Sequence, residues 1–158
     1  MTQDDDQVRL VKLMRDMPIA MFTTYGSDGP HTVPMARQEV DPDAEMWFIS
    51  ARDTQHVKAL ATDSRVALSF SSRDAWVSVV GHAHVVDDSA RLADLWNTFA
   101  EAWLPGGPDD PQATLLRVDV DRAEFWDTPG SKVASLISFA RTKLTGETFD
   151  ADHGVVRP

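Results

Sequence analysis

The chain contains no cysteine. Disulfide staples, thiolate nucleophiles, cysteine-bound zinc and iron–sulfur clusters are thereby excluded. Long apolar runs are missing as well, so no stretch has the length of a membrane-spanning helix. Basic residues are scarce: 15 Lys and Arg stand against 25 Asp and Glu, a formal charge of −10. So acidic a surface repels phosphate backbones and anionic bilayers, which argues against nucleic-acid and membrane partners, although a local basic patch can still take one small anion. The first residues, MTQDDDQ, are acidic where a secretion signal is basic and then apolar. The chain therefore reads as soluble and cytoplasmic. No GxSxG elbow, Walker A loop or GxGxxG turn occurs.

What is present suits one domain with a core of its own, since 158 residues bury enough apolar surface without staples. Its bounds read as 1–146, with a polar tail over 147–158 that frays. Asp4 to Met17 is expected to form a helix, capped by Asp5 or Asp6, with Val8, Leu10, Val11, Leu13 and Met14 as its apolar stripe and Pro18 as its stop. Alternating, β-rich runs then follow: Ile19 to Tyr25, His31 to Val40 across a Gly26–Gly29 turn, and Met46 to Ser50. A short helix lies between Asp53 and Thr62, and strands cover Arg65 to Ser71 and Trp76 to Val86. Asp88 or Ser89 caps a further helix that puts Leu92, Leu95, Trp96 and Phe99 on one face. Thr114 to Asp127 holds a final strand or strand pair, and Lys132 to Leu144 closes as an amphipathic helix. Many short antiparallel strands with covering helices make a mainly β (α+β) fold, a barrel or a sandwich by periodicity alone.

Several segments carry chemistry. Pro34 lacks an N–H, so it belongs at a strand edge or bulge, and its neighbours' backbone groups must find partners other than a ladder. Ser50 to Lys58 runs from a strand end into a helix start. There Ser50, Thr54, Arg52 and Lys58 would surround an anion with hydroxyls and charge. Two proline- and glycine-rich loops keep tryptophans at their edges, Trp103 to Pro111 and Phe125 to Val133. The paired Asp109 and Asp110 read as turn formers, because a hard cation needs more oxygen ligands at ordered spacing. His82 and His84 share a strand face without an evident third ligand, so they read as surface residues and no metal site is expected.

Four stretches, Thr23 to Gln38, Trp47 to Val57, Trp103 to Pro111 and Phe125 to Val133, resemble one family in order. It is the FMN-binding split β-barrel superfamily of pyridoxamine 5'-phosphate oxidase-like proteins, and within it the bacterial general stress protein group. The resemblance runs from about Leu10 to Gly146. It implies a six- to seven-stranded antiparallel split β-barrel with flanking helices, working as a homodimer that holds FMN between subunits. The segment that lines the flavin ring in that family corresponds to Val33, Pro34, Met35 and Ala36, with Val33 where arginine or serine is commoner. The FMN phosphate falls to Ser50, Arg52, Thr54, His56 and Lys58, with His56 where a lysine is usual. Trp126 would lie close to the ring, and Lys132 would reach a flavin carbonyl or an incoming anion. An oxidoreductase working with NAD(P)H or another small substrate is one implied function, and no catalytic base stands out for it. A flavin holder without turnover, or an F420-dependent reductase, is the alternative, and FAD is a further candidate cofactor. True pyridoxamine 5'-phosphate oxidase activity is disfavoured, because the His-Asp-Arg expected near the C-terminus is missing.

Overall fold

The structure, a computed structural model, describes residues 3–40, 45–128 and 152–157. After α1 (Gln3–Arg15) come β1 (Ile19–Gly26), β2 (Gly29–Val40) and β3 (Glu45–Ala51), then α2 (Gln55–Ala59). The strands β4 (Arg65–Ser71) and β5 (Ala75–Val86) precede two short helices, α3 (Ser89–Leu95) and α4 (Thr98–Trp103). The long β6 (Ala113–Asp127) and the short β7 (Asp152–Val156) complete the described chain.

Strand order β3-β2-β1-β4-β5-β6 closes into a barrel because β6 returns to β3, pairing Ala51 with Ala113 through Glu45 with Asp119. Every pairing is antiparallel. This is the split β-barrel with flanking helices that the sequence implied. The period of two is the cause: in β1, Ala20, Phe22 and Thr24 point inward while Ile19 and Met21 point out. Val66, Leu68 and Phe70 of β4 and Val77 and Val79 of β5 do the same. Phe22 and Phe48 meet edge to face inside, with centroids 5.2 Å apart. The length of β6 lets it serve three neighbours, and a bulge at Val80–Gly81 adjusts its register with β5. Gly81 is needed there, since a Cβ would lie 2.1 Å from the Asp119 carbonyl oxygen.

Three expectations change. Helix α1 buries Leu10 and Met14 and turns Val8 outward, while Arg9 donates to Asp127 at 2.8 Å. The single helix expected after Asp88 is two. Asp88 does cap α3, but Asn97 caps a new helix by accepting from the Phe99 and Ala100 N–H groups, so Phe99 leaves the face of Leu92. The tail does not fray throughout: Asp152–Val156 adds β7 to the lower half of β6, with Gly154 against the Phe125 ring and Val156 in the core. A run as short as Val155-Val156 beside Gly154 gave no periodic signal on its own. The helix expected over Lys132 to Leu144, Lys132 included, lies outside the described residues.

Candidate functional site

The barrel is split where β2 and β3 part. Strand β3 pairs with β2 from Arg37 to Val40, so upstream of Arg37 strand β2 has, among the described residues, a strand partner only in β1. The Arg37 N–H donates to the Pro18 carbonyl at 2.8 Å. By alternation the backbone of Val33 and Met35 faces β1, and that of Pro34 and Ala36 faces the gap. Pro34 thus sits on a free edge, where its missing N–H takes nothing from the ladder.

A cavity of about 480 Å³ fills this gap. Val33, Pro34, Met35, Ala36 and Gln38 form one wall, and Ile49, Ser50 and Ala51 of β3 form another. Helix α4 supplies the third through Phe99, Ala100, Trp103 and Leu104. Phe99 and Trp103 stand one turn apart, so both rings reach the opening, and both stay exposed to solvent. Asn97 fixes this wall, since its amide donates to Gln38 on β2 while its oxygen caps α4. Sequence reasoning put Trp103 at the edge of a proline-rich loop and did not place Phe99, Gln38 or Ile49 at the site. The spacing of Phe99 and Trp103 after a capping Asn97 was the readable signal. The loop itself is a turn as expected, with Asp110 Oδ1 accepting from the Gln112 N–H at 2.9 Å.

One end of the cavity is polar. There Ser50 Oγ lies 2.8 Å from His56 Nε2, and Thr54 Oγ1 lies 3.3 Å from the same nitrogen. The Thr54 hydroxyl donates to the Ala51 carbonyl at 2.7 Å. Its hydrogen is committed there, so toward His56 it is left with its lone pairs. Burial, reinforced by His31, pushes the His56 pKa below the ordinary histidine value and favours the neutral ring. Thr114, opposite Ser50 in register, buries a hydroxyl that has no partner among the described residues.

Val33, Pro34, Met35, Ala36, Ser50, Thr54 and His56 line one cavity. Arg52, Lys58 and Trp126 do not line this cavity. Arg52 is held on the surface by Asp87 and by the Pro111 carbonyl. Lys58 is exposed on α2. Trp126 lies on the outer face of β6, stacked on His153 with centroids 5.3 Å apart. His82 and His84 face Asp121 and Asp119 across the β5–β6 ladder, at 3.1 and 3.8 Å.

Known proteins share this architecture. A general stress protein 26 from a Jannaschia species superposes with a TM-score of 0.80 at 25% identity, covering 98% of this chain and 99% of that one. The general stress FMN/FAD binding protein of Xanthomonas citri gives 0.70 at 30% identity, over 79% and 90%. A general stress family protein of Xanthomonas campestris gives 0.70 at 31%, over 83% and 92%. Protein bli-3 of Neurospora crassa is 25% identical over 113 residues, 65% of this chain, so the chain matches about half (54%) of that protein's length. Residues 5–150 match the family described as pyridoxamine 5'-phosphate oxidase like. With that span, the free β2 edge and the shared barrel, the chain belongs to the pyridoxamine 5'-phosphate oxidase-like family.

Proposed function

We propose that this protein binds flavin, with FMN in the gap between β2 and β3 of a homodimer, and handles electrons through it. The observation that carries the reading is the cavity along an unpaired strand edge. A flavin pyrimidine edge alternates hydrogen-bond acceptors with a donor, which suits the free backbone groups of Pro34 and Ala36. The apolar lining, with Ile49, Phe99 and Trp103, suits an aromatic ring system. A relative of like fold, from Xanthomonas citri, is named for FMN and FAD binding. When bound, flavin supplies hydride and electron transfer; the chain supplies grip, orientation and exclusion of water. Among the described lining residues no carboxylate occurs and His56 alone is titratable, so chemistry that needs a strong base has no support here.

The homodimer rests on the outer barrel face. Pro34, Met21, Ser69 and Ser78 lie side by side across four strands, with Ala67 beside Val80 in the next row. None carries a charge, and Met21 and Val80 are both more than a third exposed. The face runs into the cavity through Ile19, Pro34 and Ala36, so an isologous partner would close the open side. Such a partner is also what would bring Trp126 to the ring.

Identification of the ligand released from the purified protein tests the reading, followed by NAD(P)H oxidation measured against free FMN. Bound FMN with turnover above free flavin is the expected result. FMN without turnover would make the protein a flavin holder, FAD or F420 would change the cofactor, and no flavin binding at all would end the proposal.

A further inference from the structure

The polar end of the cavity is built for an anion in its hydroxyls, yet no fixed cation faces it among the described residues. His56 Nε2 lies 2.8 Å from Ser50 Oγ and 3.3 Å from Thr54 Oγ1, and burial favours the neutral ring. Arg52 is committed to Asp87, and Lys58 is on the surface. His31, on β2, is the one titratable neighbour acting on His56, and it opposes a second positive charge. Asp53 on the same segment is exposed, and β3 and β6 contribute only the hydroxyls of Ser50 and Thr114. Among the described residues, a phosphate placed here would meet hydroxyls but no fixed countercharge. A buried anion without countercharge is costly, and the nearest group able to gain one is His56 itself.

We propose that this site takes an anionic group together with a proton, which His56 receives from solvent as the anion enters. No covalent bond changes: the ring goes from neutral to imidazolium, and the added charge faces the phosphate through the Ser50–Thr54 corner. The inference rests on the flavin reading above. FMN and riboflavin differ by the phosphate alone, so the pair isolates the effect.

The consequence is a pH-dependent preference. Where one proton is linked to binding, affinity changes by at most about tenfold per pH unit. The preference for FMN over riboflavin falls as pH rises above the ordinary histidine range, and riboflavin affinity stays level. Titration calorimetry in two buffers of unlike ionisation enthalpy counts the protons directly. Uptake approaching one proton per FMN, with none for riboflavin, is expected of the unmodified protein. The same uptake disappears in His56→Lys, whose charge is already in place, and shrinks in His56→Gln, with riboflavin binding showing that the cavity of each variant is intact. A ¹⁵N spectrum of the imidazole gives a second readout free of substitution: the neutral ring alone or with riboflavin, imidazolium with FMN.

Unchanged proton uptake in His56→Gln would place the proton on the phosphate, whose second ionisation lies near pH about 6, and overturn the assignment. FMN binding without proton uptake would overturn it while leaving the flavin reading intact. Failure of both flavins to bind would remove the two together.

Discussion

Asn97→Ala takes from α4 both its cap and its tether. The Asn97 oxygen accepts from the N–H groups of Phe99 and Ala100, each at 3.0 Å, and its amide donates to the Leu95 carbonyl at 3.1 Å and to Gln38. Losing an asparagine cap costs about 0.5–2 kcal/mol. Helix α4 has six residues and buries only Ala100, so the loss falls on local opening rather than on the barrel. With about 1.36 kcal/mol per factor of ten, the Phe99 and Ala100 amides should exchange roughly 2- to 30-fold faster. Denaturant midpoint should move little. Because Phe99 and Trp103 ride on this helix, flavin affinity should drop as well. Asn97→Asp separates the two roles: its carboxylate still caps, and suits a helix start, but it cannot donate to Gln38. Exchange should stay near that of the unmodified protein while affinity falls. Hydrogen exchange followed residue by residue reads both variants. Unchanged exchange in Asn97→Ala would refute the cap, and equally fast exchange in Asn97→Asp would refute the division of labour.

Gly154→Ala would put a Cβ 2.3 Å from the Phe125 ring, which is fully buried and has nowhere to go. Overpacking of this kind costs about 1–3 kcal/mol, read as a lower denaturant midpoint with faster exchange along Ala123 to Phe125. His56 has its folded-state pKa below the unfolded value, so the unfolded chain binds the proton first as pH falls. Stability of the ligand-free protein is therefore complete above about pH 6.5 and declines below it, and His56→Gln should flatten that decline in denaturation measured from pH 7.5 to 5.5. Met21→Glu sets a charge in the outer face, 43% exposed in one chain, and should shift sedimentation to the monomer and weaken flavin binding in step. A monomeric variant with undiminished affinity would show that each chain holds its ligand alone.

Strand positions were legible because a period of two survives in β1, β4 and β5, and Pro34 marked the free edge by chemistry alone. The wall made by α4 was harder. Leu92, Leu95, Trp96 and Phe99 do fit one helical stripe, and only Asn97, an ordinary helix residue unless its side chain caps, breaks it. The same limit applied to the anion end. Sequence order puts Arg52 and Lys58 beside Ser50 and Thr54, but side-chain pairing with Asp87 and the turn of α2 remove both from the cavity. Asp87 is thirty-five residues from Arg52 in the chain, so no local pattern announces it. Strand β7 was missed for a related reason: it gains its burial from Phe125 and the end of β6, not from its own five residues.

The proposal puts flavin in the gap between β2 and β3. Equilibrium titration of FMN against the unmodified protein and against Ala51→Trp, which fills that gap from the β3 side, tests it most directly. Saturable binding of one FMN per chain is expected in the first and loss of binding in the second, with circular dichroism showing the barrel intact in both. Equal affinity for FMN in the two proteins would place the flavin elsewhere.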